Sequence, residues 1–137
     1  LNAAVPRFKA LPEAVARFAA DVDHQGKFSV PVISAHATGD STVFVEGQDT
    51  LKRRMEAAGN GARLVQVFVN SREHSYWGDA MYPPLFNALL AWVQAGDKPT
   101  PQSIARQCEA LQSANPKACL FLPDYAPRPL ASRIAPR

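Results

Sequence analysis

Val30-Pro31-Val32-Ile33-Ser34-Ala35-His36-Ala37-Thr38-Gly39-Asp40 decides the fold. Val and Ile here suit a strand buried on both faces, which is the habit of parallel sheets. Gly39 permits a tight turn where the run stops. Asp40 follows at the strand's carboxyl end, where open α/β sheets place ligands and chemistry. A second apolar run, Leu64-Val65-Gln66-Val67-Phe68-Val69, stops in the same manner, and the turn after it carries His74. Between the two lies a helix-like segment from Gly47 to Ala58. Its stripe is Leu51, Met55 and Ala58, and Gly59 is a suitable stop. Strand, helix and strand at this spacing predict a parallel βαβ unit with a right-handed crossover.

Working outward, the first strand is expected over Phe28–His36. Pro31 is tolerated there at the first pairing position. The second strand is expected over Arg63–Val69. Upstream, Leu11, Val15, Phe18 and Val22 recur at helical spacing, and Pro12 suits a first helical turn. A helix over Pro12–Val22 follows, then a polar turn holding a solvent-exposed His24. Downstream, Asn70 to Gly78 is polar and aromatic without core periodicity, the composition of a site loop. Pro83 and Pro84 open a helix with Leu85, Phe86, Leu89, Leu90, Trp92 and Val93 on a broad apolar face, ended by Gly96. Thr100-Pro101 caps a short helix reaching Gln112. From Asn115 the Pro-rich chain is expected to wrap the surface, pinned by Phe121 and Tyr125.

The chain has 137 residues, 47% hydrophobic and 20% charged, so it is of globular type rather than disordered. The net charge of +3 is scattered apart from Lys52-Arg53-Arg54. That run reads as the solvated face of a helix, which argues against nucleic acid as a partner. No apolar run approaches the ~18 residues of a membrane span, and no membrane association is expected. Leu1 to Lys27 lacks a basic start followed by an apolar core. The chain opens on Leu1 rather than Met, and its first residues read like the interior of a larger protein.

Cys108 and Cys119 lie close together in a loop-rich region. A local disulfide would tie down the tail and point to an oxidising, secreted or periplasmic setting; two free thiols are the alternative. Two cysteines without partner histidines fall short of the four N/S ligands of a structural zinc site. No metal or organic cofactor is expected.

Adjacent parallel strands would bring the loops bearing Asp40 and His74 together. A shielded carboxylate orients an imidazole and stabilises its charged form, so that the imidazole can take a proton from a nucleophile. On these residues the sequence resembles the α/β-hydrolase superfamily, whose chain order is Ser, then Asp or Glu, then His. The likeness runs from Phe28 to Pro101. It takes in the strand to Asp40, the apolar loop through Val45, the helix to Gly59, the strand Leu64–Val69, His74 and the helix through Trp92. It implies an α/β fold in which residues 28–101 supply the last two strands and their helices. Residues 1–27 would be the end of a cap or lid, or the helix leading into the penultimate strand. Residues 102–137 would be a terminal helix and Pro-rich tail.

By the same resemblance Asp40 is the triad acid and His74 the triad base. No Gly-x-Ser-x-Gly elbow occurs, and Ser41 and Ser75 directly follow Asp40 and His74. The nucleophile and oxyanion hole are therefore expected upstream, on an N-terminal segment or separate chain. The expected activity is serine-dependent hydrolysis of a small carboxylic ester. An amidase or peptidase of the same fold and a non-catalytic binding module are the alternatives. Tyr76 and Trp77 either line an acyl or leaving-group pocket or pack against the following helix. His36 is expected to pack near the site, Glu46 and Asp49 to favour the helix dipole, and Trp92 to lie in the core.

Overall fold

The computed structural model describes residues 4–6, 8–112 and 114–133. The expectation concerning the chain's start at Leu1 lies outside these. In order, the elements are α1 (Pro12–Val22), β1 (Val32–Ala37), α2 (Gly47–Ala57), β2 (Leu64–Val69), α3 (Tyr82–Ala95) and α4 (Pro101–Leu111), with short 3₁₀ turns between and after them. Among the described residues the architecture is mixed α/β, with four helices and a small two-stranded parallel sheet. β1 and β2 pair in parallel, with Val32 opposite Leu64 and Ala37 opposite Val69.

Alternation along the strands sorts residues to two faces. Ile33, Ala35, Val65 and Val67 meet Ala88 and Trp92 of α3 and Ile104 of α4 in one apolar cluster. Beside it, Val69, Met81 and Cys108 form a second cluster, against which Trp77, Cys119 and Phe121 pack. The opposite face is more polar. There Gln66 Nε2 donates to the Gln48 backbone carbonyl at 2.8 Å, which ties β2 to α2. Burying amides this way requires such partners, and Gln48 supplies them from the first turn of α2.

Three starts differ from expectation. β1 starts at Val32 rather than Phe28. Ser29 and Val30 form a bend and Pro31 precedes the strand, because proline has no N–H to give the ladder. Arg63 closes a 3₁₀ turn, Gly61–Arg63, instead of opening β2. α3 begins at Tyr82, with the prolines inside its first turn, where their missing N–H groups cost nothing. β1, α2 and α4 each end one residue from expectation, at Ala37, Ala57 and Leu111. Gly96 adopts the left-handed conformation (φ 79°) that closes α3. Thr100 and Ser103 form a reciprocal capping box at α4.

The carboxyl end of β2's outer edge, at Phe68–Asn70, is bonded to the tail. Val69 and Phe121 form an antiparallel bridge, flanked by Asn70 N–H to Leu120 O and Leu122 N–H to Phe68 O, both 2.8 Å. The disulfide Cys108–Cys119 anchors this segment to α4. The outer edge of β1 has no strand partner among the described residues. α1 buries none of its residues; its stripe of Leu11, Val15, Phe18 and Val22 stays exposed. No helix among the described residues is long and apolar enough to cross a membrane.

Candidate functional site

Parallel pairing brings the two strand-ending loops side by side. Thr38 N–H donates to Val69 O and Gly39 N–H to Ser71 O, both at 2.9 Å. A Cβ on Gly39 would lie 2.9 Å from Ser71 O and 3.0 Å from Arg72 Cγ. Only glycine lets the loops approach this closely.

Asp40 stands at the meeting point, its side chain 3% exposed. Oδ1 accepts from the backbone amides of Thr42 (2.7 Å) and Val43 (2.9 Å). Oδ2 lies 2.7 Å from His74 Nδ1. The Val43 amide above all holds the Asp40 carboxyl down to about 2; burial opposes it, and His74 and the Thr42 amide add to the lowering. Asp40 is thus an anion throughout the neutral range. An ionised carboxylate only accepts, so Nδ1 of His74 carries the proton and donates it. Nε2 is then the nitrogen free to accept. His74 is about half exposed, at 48%, so its ring is accessible to a reacting group.

His36 packs beneath, buried in β1. Its Nδ1 lies 2.8 Å from Ala37 O, a carbonyl that can only accept. Its Nε2 is 4.0 Å from Asp40 Oδ2, too far for a hydrogen bond.

Tyr76 and Trp77 stack against Tyr82 at the start of α3, with ring centroids 6.1 and 6.2 Å away. The Tyr76 hydroxyl donates to Asp79 Oδ1 at 2.7 Å, and that bond raises its pKa above the ordinary phenol value. Trp77 Nε1–H donates to Glu73 O at 2.9 Å. The Trp77 ring braces the loop that carries His74 against the helix behind it.

Glu46 has a larger part than favouring a helix dipole. Its side chain is 5% exposed, with Arg133 Nη1 at 2.9 Å and Arg128 Nη2 at 3.7 Å from Oε1. Its own backbone amide and then Arg133 hold its carboxyl below the usual range. Asp49, one turn on, pairs with Arg53. The acidic residue at a helix entrance was visible in the sequence; the basic partners from the far tail were not.

The chain matches no family model, no curated protein and no solved structure.

Proposed function

We propose that this chain is the carboxy-terminal portion of a serine hydrolase acting on carboxylic esters. The observation that carries the reading is the Asp40–His74 pair: a shielded, ionised carboxylate bonded to Nδ1 of a half-exposed imidazole. That is the arrangement by which an acid fixes the tautomer and orientation of a general base.

In the proposed reaction a serine on an upstream segment gives its proton to His74 Nε2 as its oxygen attacks the ester carbonyl. His74 then protonates the leaving alcohol. In the second half His74 takes a proton from water, which attacks the acyl-enzyme, and returns it to the serine as the acid departs. Asp40 stays ionised and stabilises the imidazolium.

Two features favour a partner segment that supplies the nucleophile and oxyanion hole. The outer edge of β1, which has no strand partner among the described residues, can accept a further strand. Beside it, Ile33, Ala35, Leu85, Phe86 and Leu89 line an apolar groove of about 170 Å³. The disulfide favours an oxidising, secreted or periplasmic setting.

The test is fluorophosphonate labelling of the native full-length protein or complex, followed by intact-mass measurement. A labelled serine on an upstream segment, lost on His74→Ala, supports the reading. A folded protein that takes no label and turns over no ester points instead to a binding module.

A further inference from the structure

The loop from Asp40 to Glu46 holds the acid through its own backbone, because the Thr42 and Val43 amides point at Asp40 Oδ1. Yet the middle of that loop packs little: Val43 and Phe44 are about half exposed. Something else must keep the two amides in place.

The tail does so from the far end of the chain. After Cys119 it bonds to the edge of β2, and Tyr125 packs on Phe68 with centroids 5.0 Å apart. It then reaches the loop. Arg133 lays its guanidinium 4.1 Å from the centre of the Phe44 ring and bonds Glu46 Oε1 at 2.9 Å, with Arg128 behind it. Loop and tail enclose a hollow of about 320 Å³ lined by Asp40, Ser41, Phe44, Glu46 and Arg133. A carboxylate as buried as Glu46 needs a cation beside it, and a guanidinium both stacks on a ring and bonds a carboxylate, which an ammonium does less well.

We propose that Arg133 is a positioning residue for the Asp40–His74 pair, acting as the end of a strap that locks the 40–46 loop through Glu46 and Phe44. The inference rests on the hydrolase reading for its kinetic consequence, and on geometry alone for the locking itself.

The experiment uses the full-length protein carrying Arg133→Ala, Arg133→Lys or Glu46→Gln. Residue-resolved amide hydrogen exchange is measured alongside kcat and KM for a simple ester. With the strap cut by Arg133→Ala, or weakened by Glu46→Gln, which keeps an acceptor oxygen but removes the charge that pairs with Arg133 and Arg128, the Thr42 and Val43 amides should exchange faster, about tenfold for Arg133→Ala, while β1 and β2 amides keep their rates. kcat should fall about tenfold with KM little changed, since misplacing a base costs rate rather than affinity. Arg133→Lys should restore only part of both, because an ammonium keeps a positive charge for Glu46 but covers the Phe44 ring less well.

Unchanged exchange at Thr42 and Val43 in both strap-cutting variants overturns the proposal. So does a uniform rise across all strands, which marks a merely structural contact. Should Arg133→Ala not fold, the near-isosteric Glu46→Gln carries the test. Absence of ester turnover would defeat the hydrolase reading and leave the exchange result to decide the strap.

Discussion

His74 Nδ1 and Asp40 Oδ2 lie 2.7 Å apart although 34 positions separate them in the chain. Two parallel strands in register place their terminal loops in contact, and Gly39 removes the side chain that would hold them apart. The contact is a direct product of the topology.

On the proposed hydrolase reading, His74→Ala should abolish ester turnover, with a loss on the order of 10³-fold or more. The ring is half exposed, so the fold should survive, as circular dichroism and thermal melting would register. Activity within a few-fold of the parent would remove His74 from the mechanism.

Asp40→Asn should also cut kcat strongly, roughly 10³- to 10⁴-fold by analogy with the serine-protease triad. Its amide oxygen can still accept from Thr42 and Val43, but its NH₂ can leave His74 in the wrong tautomer. KM should change little. A loss confined to KM would mean that Asp40 serves binding instead.

Acid stability should depend on the same carboxylate. The Asp40 carboxyl is lowered from 3.8 to about 2 in the folded chain. The unfolded state therefore binds its proton more readily, so Asp40 contributes stability above about pH 4, lost as pH falls through about 2. Urea unfolding between these pH values should show a shallower slope for Asp40→Asn than for the parent. Superimposable slopes would count against the depressed carboxyl.

Cys108→Ser should lower stability by about 2–3 kcal/mol under oxidising conditions, the scale for closing a short loop; here the cysteines are 11 positions apart. In fully reduced protein the variant and parent should unfold together. An equal deficit in reductant would assign the loss to packing of the buried Cys108 instead.

Thr100→Ala should cost about 1 kcal/mol through loss of the capping box, and leave kcat unchanged because the cap bonds of Thr100 run to Ser103 and not to Asp40 or His74. A fall in kcat without a fall in melting temperature would tie α4 to the site.

Legibility in the sequence followed the range of each interaction. The βαβ unit, the α3 and α4 ends and the joint placement of Asp40 and His74 depend on periodicity, turn chemistry and one parallel pairing, all of which leave local marks. The start of β1 was misplaced because apolar content at Phe28 and Val30 outweighed the missing N–H of Pro31. The apolar stripe of α1 marked a helix correctly, yet an amphipathic pattern does not say what covers it, and α1 buries none of its residues. From its place at a helix entrance Glu46 reads as a helix-dipole acid. Its partner Arg133 is 87 positions away, and no spacing rule spans that distance. Tyr76 and Trp77 show a further limit: aromatic composition marks a loop without giving the rings' contacts, and their stacking on Tyr82 needed the fold to be seen.

The bridge between Val69 and Phe121 gives the sheet a direction of growth. With β2 flanked by the tail at Phe68–Asn70, added strands have β1 as their open template. The tail therefore withholds the Phe68–Asn70 edge from an incoming strand and leaves the edge of β1, which has no strand partner among the described residues, as the place where a strand of another segment would add.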